Sequence, residues 1–243
     1  AVKSQLAKGV KHVYAGGYAF VAQLQDGELV AWGLPSYGGD LSAVKSQLAK
    51  GVKHIYAGGY AFVAQLQDGE LVAWGDSRFG GDVSAVKSQL AKGVKHVHAG
   101  GAAFVAQLQD GELVAWGDSS YGGDLRAVKS QLAKGVKHVY AGGAAFVAQL
   151  QDGELVAWGD SRYGGDLRAV KSQLAKGVKH VYAGGAAFVA QLQDGELVAW
   201  GDSRCGGDLS AVKSQLAKGV KHVYAGGYAF VAQLQDGELV AWG

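Results

Sequence analysis

The chain states the same 42-residue sequence six times. Copies start at Ala1, Ala43, Ala85, Ala127, Ala169 and Ala211, and the sixth stops at Gly243. Only nine positions of the unit differ between copies, and in the first copy they fall within the stretches Val13–Tyr18 and Leu34–Ser42. A period of this length belongs to solenoids, propellers and arrays, where one unit cannot bury its apolar face alone and its neighbours cover it. The repetition therefore predicts a single domain over residues 1–243, divided into repeats 1–42, 43–84, 85–126, 127–168, 169–210 and 211–243.

Within one unit, Ala1–Lys8 is free of glycine and proline and rich in helix formers, and Gly9 follows where helices commonly end. A short helix of about two turns is expected. Val10–Ala15 is β-branched and aromatic in character and ends at Gly16-Gly17, so it reads as a first strand. Ala19–Gln25 alternates and reads as a second. Asp26-Gly27 joins it to a third, Glu28–Trp32, as a hairpin; Asp-Gly predicts a type I′ turn, in which both central residues take positive φ. Leu34–Ser42 reads as loop.

The second and third strands are apolar on both faces: Phe20 and Leu24 oppose Val21, and Leu29 and Ala31 oppose Val30 and Trp32. Such a sheet must be covered on both sides, and identical neighbouring sheets stacked radially supply the cover. This is the logic of an all-β, β-propeller fold. A β-solenoid competes, but its strands run parallel, whereas the Asp-Gly hairpin makes antiparallel neighbours. Three antiparallel strands plus a short helical linker per unit, closed into a six-bladed ring, is the expected architecture. An open arc and an assembly of several chains are the alternatives. Following chain direction, both variable stretches fall near one rim, called here the top.

Composition narrows function by exclusion. The net charge is +2, and six copies each of Lys3, Lys8 and Lys11 face six each of Asp26 and Glu28. The basic footprint of a nucleic-acid binder is absent. No apolar run approaches the ~18 residues of a membrane span. The lone Cys205 permits neither an intrachain disulfide nor a thiolate zinc cluster. The chain contains no methionine and reads as a processed or trimmed form, which leaves targeting and compartment open.

The pattern Gly-Val-x-x-Val/Ile-x-Ala-Gly-Gly, followed by a strand and then Asp-Gly-x-Leu-Val-Ala-Trp-Gly-Asp-Ser-x-Tyr-Gly, is legible from Gly51-Val52 to Gly59 and from Asp68-Gly69 to Phe79-Gly80. It resembles the repeats of the regulator of chromosome condensation family. In its short units it is most similar to propellers of the β-lactamase inhibitor protein II type. The resemblance implies a propeller that works by binding, through family-specific loops. It departs from those relatives in having six units rather than their usual seven. It also keeps all three strands in order in each unit, rather than sharing a strand between the chain ends. The near-identity of the copies fits an engineered or consensus-like chain, or a recent amplification.

The variable positions carry the candidate site. In chain order one position reads Tyr18, Tyr60, Ala102, Ala144, Ala186 and Tyr228, and on a closed ring the three tyrosines form one arc. Tyrosine is an efficient contact residue at protein interfaces, and the resemblance implies that aromatic residues after this glycine turn face a partner. Tyr14 and Tyr56 precede the same turn. Tyr37, Phe79 and Arg78 in the loop, with Arg126 and Arg168, complete an arginine–aromatic set suited to protein recognition. The recurring His12, His54, His96, His138, His180 and His222, with His98 extra, could ring a central channel and hold a metal or titrate near pH 6–7, or could hydrogen-bond between blades. Cys205 replaces an aromatic and has no base beside it in sequence. Nearly every Ser, His, Asp and Glu occurs in five or six equivalent places, whereas an active site needs an asymmetric constellation.

The expectation is a non-enzymatic, symmetric repeat scaffold, engineered or consensus-like, with a top loop face suited to protein recognition and with no cofactor. A natural inhibitor- or adhesion-type binding propeller is the first alternative. A metal or small-ligand site in the central channel is the second. A monomer is expected, with self-assembly as its alternative; neither a nucleic-acid nor a membrane partner is expected.

Overall fold

The computed structural model describes residues 2–243. Ala1, which the sequence reading includes in the first helix, lies outside them. The chain divides into two compact units, 1–119 and 120–243. In the first, strands Val10–Ala15, Ala19–Leu24 and Leu29–Gly33 form blade 1, Val52–Ala57, Ala61–Leu66 and Leu71–Gly75 form blade 2, and Val94–Ala99, Ala103–Leu108 and Leu113–Gly117 form blade 3. In the second, Val136–Ala141, Ala145–Leu150 and Leu155–Gly159 form blade 4, Val178–Ala183, Ala187–Leu192 and Leu197–Gly201 form blade 5, and Val220–Ala225, Phe230–Leu234 and Leu239–Trp242 form blade 6. Every sheet has three strands in chain order, paired antiparallel throughout. The all-β reading at a 42-residue period is what the structure contains.

Three local details differ from the sequence reading. The hairpin turn is not type I′, because no residue other than glycine has positive φ among the described residues. Gly27 alone carries it, at φ 88°. The Gly27 N–H donates to the Leu24 carbonyl at 3.0 Å, and the Leu24 N–H donates to the Glu28 carbonyl at 2.9 Å. This is a three-residue loop, a turn closed by a left-handed glycine. Asp26 stays at negative φ because its carboxylate accepts the Glu28 N–H at 2.9 Å, a side-chain turn that Asp and Asn commonly make. That bond holds Glu28 in the turn, so the last strand starts one residue later than expected, at Leu29.

The linker helix is also shorter than two turns. It spans Val2–Leu6 in the first copy and a single turn, such as Lys45–Leu48, in the others. Val44 sits at φ −116°, ψ 0° and offers no side-chain cap. A helix this short is not stable alone; Val44 and Leu48 hold it by burial against blade 2. The loop after the last strand contains a 3-10 turn, Pro35–Tyr37 in the first copy and Ser77–Phe79 in the second. Proline starts the first, and Asp76 caps the second by accepting the Arg78 N–H.

The sheets are apolar on both faces, and blades stack face to face within each unit. In the first unit, Ala19 and Val21 of blade 1 pack in one cluster with Ile55, Phe62, Ala64, Leu66, Val72 and Trp74 of blade 2. In the second, Ala187 and Val189 of blade 5 meet Phe230, Ala232, Leu234, Val240 and Trp242 of blade 6 in the same way. Phe62 is fully buried and stacks on Trp74 with centroids 5.6 Å apart. The Trp74 indole donates to the Gly38 carbonyl of the preceding loop at 3.1 Å. Backbone bonds also cross from blade to blade, with the Gly17 N–H donating to the Gly59 carbonyl at 3.0 Å and the Gly59 N–H to the Gly101 carbonyl at 2.8 Å. Recurring Lys–Glu pairs such as Lys8–Glu28 and Lys50–Glu70 are solvent-exposed, and exposed pairs of this kind contribute little.

Gly38 has φ 103°, and a Cβ built on it falls 2.5 Å from a Phe62 ring carbon. Gly27 has positive φ but open space around it. Gly38→Ala is therefore expected to destabilise the protein by about 2–4 kcal/mol, through strain and overpacking together. Gly27→Ala is expected to cost only about 1–2 kcal/mol of backbone strain. Urea unfolding followed by tryptophan fluorescence separates the two, and equal losses would mean that the ring contact is not what demands glycine.

Candidate functional site

In the first unit the two variable stretches converge. The Leu34 N–H donates to the Tyr18 carbonyl at 3.0 Å, and in the next copy the Asp76 N–H donates to the Tyr60 carbonyl at 3.0 Å. These bonds tie the loop after the last strand to the turn before the middle one, and they bring four aromatic rings into one row. Tyr18 lies 5.2 Å from Tyr37 and stacks on Tyr60 at 5.4 Å. Tyr37 meets Tyr60 edge-on at 5.2 Å, and Tyr60 meets Phe79 at 4.8 Å. The Arg78 guanidinium caps the row, 5.1 Å from the centre of the Phe79 ring. Tyr18 is exposed, and Tyr37, Tyr60 and Phe79 are half-buried.

Arg78 is held there by its own loop. Its Nε donates to Asp76 Oδ1 at 3.0 Å and its Nη2 to Oδ2 at 2.7 Å. The same pairing, with hydrogen bonding first among its causes, holds the Asp76 carboxyl below the usual carboxylate range. The guanidinium is thus fixed in place yet largely solvent-facing, at 74% side-chain exposure. Rings in contact with a fixed cation over one of them offer an apolar face with a polar edge, which suits protein contact.

The second unit repeats the backbone without the row. Arg162 stands over Tyr163 at 5.2 Å, but Ala144 and Ala186 take the tyrosine positions and Cys205 an aromatic one. Tyr228 is 76% exposed. Arg126 and Arg168 sit apart from the aromatic rings. Arg168 pairs with Asp166 at 2.6 Å and lines a groove with the Asp152-Gly153 hairpin, and Arg126 pairs with Asp124.

Tyr14 and Tyr56 belong to another set, on the first strands of their blades. There tyrosine and histidine rings alternate: Tyr56 meets His96 edge-on at 5.4 Å, and His54 lies 6.2 Å from Tyr56. The same contacts recur in the second unit between Tyr140 and His180 at 5.5 Å and between Tyr182 and His222 at 5.8 Å. Burial raises the Tyr56 hydroxyl pKa. The recurring histidines, His12 and His138 included, are exposed. Among the described residues, no group of three or more His, Cys, Asp or Glu side chains is arranged to hold a metal ion.

One residue of consequence escapes the repeat logic. His98 stands where five copies have tyrosine. It is half-buried, its ring centroid lies 4.6 Å from that of His96, and its Nε2 is buried without a hydrogen-bond partner. Burial, with a smaller contribution from the His96 charge, lowers its pKa to about 4. The unfolded chain takes up that proton near pH 6.5, so the unfolded state binds more protons between these values and stability falls as pH drops from 6.5 toward 4. The loss approaches about 3 kcal/mol, at about 1.4 kcal/mol per pH unit. His98→Tyr, which restores the residue of the other copies, is expected to flatten the urea midpoint between pH 7 and pH 4. An unchanged slope would assign the acid sensitivity elsewhere.

Stacked three-stranded antiparallel blades with loops gathered at a rim define the β-propeller class, and the chain has that fold. Its solved likenesses include the structure described as Kap60 bound to yeast RCC1 (Prp20), at TM-score 0.62 and 19% identity, covering 96% of this chain and 70% of that one. Prp20p from Saccharomyces cerevisiae, described with its binding properties to Gsp1p and histones, matches at TM-score 0.61 and 18% identity, over 96% and 72%. The CRINKLY WD40 ectodomain of the Arabidopsis thaliana receptor kinase ACR4 matches at TM-score 0.59 and 16% identity, over 96% and 81%. At these identities the likeness is one of fold. No protein-family model matches the chain, and neither does any curated protein sequence.

Proposed function

We propose that the chain is a non-enzymatic repeat scaffold, engineered or consensus-like, that engages a protein partner through the loop rim of blades 1 and 2. The observation that carries this reading is the contiguous row Tyr18, Tyr37, Tyr60 and Phe79, capped by Arg78. Blade packing does not require Tyr18 and Tyr60, since Ala102 and Ala186 occupy their position in blades that stack in the same way. Rigid aromatic residues with a neighbouring arginine are the side chains that dominate binding energy at protein interfaces. The near-identity of the other positions supports a scaffold varied mainly in its loops.

The non-enzymatic part of the reading rests on chemistry. The Asp and Arg side chains at the rim are consumed in bidentate pairs within their own loops. The exposed histidines pair with aromatic rings of neighbouring blades. Neither arrangement sets a base against a nucleophile.

Selection of binders from a displayed peptide or small-domain library against the intact chain tests the proposal. Binders are expected to concentrate on the rim, and Tyr18→Ala with Tyr60→Ala is expected to weaken them by about thirtyfold or more, at about 1–2 kcal/mol for each truncated contact residue. Arg162→Ala in the second unit is expected to leave them unchanged. Binders indifferent to the double tyrosine change would remove the rim from consideration.

A further inference from the structure

Blade 1 leaves bare a face that blades 2 and 3 bury, and blade 6 leaves bare a face that blades 4 and 5 bury. On blade 1, Val13 is 55% exposed, whereas its equivalents Ile55 and Val97 are buried. Phe20 is 40% exposed, whereas Phe62 and Phe104 are fully buried under the preceding blade. On blade 6 the opposite face is open: Leu239 is 63% exposed, whereas Leu155 and Leu197 are buried under the following blade. Tyr224 is exposed where Tyr140 and Tyr182 are half-buried. A contiguous apolar face of this kind on a folded chain marks an interaction surface.

We propose that the two faces bind each other between copies, the last blade of one chain packing against the first blade of a second copy of this chain. The occupant is specified by the interfaces inside each unit. What covers Phe62 is Ala19, Val21 and Ala31 of the preceding blade, and the bare face of blade 6 presents the identical Ala229, Val231 and Ala241. Polar groups match as well. Gly17 donates its N–H to the Gly59 carbonyl of the next blade, and Gly185 donates to the Gly227 carbonyl in the same way. The Gly227 N–H has no partner among the described residues, and the Gly17 carbonyl of a second copy is its counterpart. Likewise Gln23 and Gln191 donate to the Val52 and Val220 carbonyls of the following blade, which assigns Gln233 to the Val10 carbonyl of the second copy. The contact is heterologous, joining two different surfaces, so it propagates head to tail into a closed multimer or an open chain. It uses blade faces rather than the loop rim, and so stands apart from the binding function proposed above.

Light scattering after size exclusion, over a range of concentrations, is the test. The wild-type chain is expected at multiples of 25.1 kDa. Val13→Glu blocks the first face and Leu239→Glu the last, and each variant alone is expected to run as a single chain. Mixed one to one, they are expected to form a two-chain complex and nothing larger, because each supplies the face the other lacks. Both positions are exposed, and unchanged circular dichroism verifies that the variants fold. Phe20→Lys and Tyr224→Lys form a second pair with the same expected behaviour. A wild-type chain that stays at 25.1 kDa at every concentration overturns the proposal. So does a single-face variant that still assembles, or a mixture that stays monomeric.

Discussion

The structure depends on a phenylalanine pressed between blades. Phe62 stacks on Trp74 of its own sheet, and its other side meets the loop glycine of the preceding blade so closely that no Cβ fits. The Trp74 indole then anchors that same loop by donating to the Gly38 carbonyl. Ring burial, of order 1.5–3 kcal/mol, and a buried hydrogen bond thus act on one contact, which recurs wherever one blade follows another within a unit. The strands supply two apolar faces, but this contact sets how closely the blades approach. It also fixes the position of the loop that carries the variable side chains.

Much of the fold was legible because its signals are local. The glycine pairs, the Asp-Gly turn and the two-faced apolar strands each bound an element within a residue or two. What was not legible came from competition among polar groups. Asp-Gly suggested that both turn residues take positive φ, but the Asp26 carboxylate captures the Glu28 N–H, and glycine alone makes the left-handed step. The linker helix reads as longer than it is because no glycine or proline interrupts residues 43–50 and most of them are good helix formers; Val44 is instead buried as the hinge into the turn.

The candidate site was legible as positions but not as a constellation. Tyr18 and Tyr60 stand out because three other copies have alanine at their position. Their joining with Tyr37 and Phe79 needed the backbone bonds that fold the loop onto the turn. The arginines separated by the same geometry. Arg78 and Arg162 lie over rings, whereas Arg168, also in a variable stretch, lies six residues further on and reaches the groove beside a hairpin. His98 was visible only as one letter that breaks the repeat. Its cost appears only once burial and the unpaired Nε2 are known.

The blade-to-blade contact has a consequence for how the chain finds its order. Because the packing faces are nearly identical from copy to copy, a blade can hardly distinguish its sequence neighbour from any other blade by side-chain fit. A mispaired stack would have nearly the same internal energy as the correct one. Order is imposed by the tether: residues 34–51 span from one blade to the next, and their short reach makes the adjacent copy the most concentrated competitor. In this chain the core supplies affinity, and the linker supplies the address.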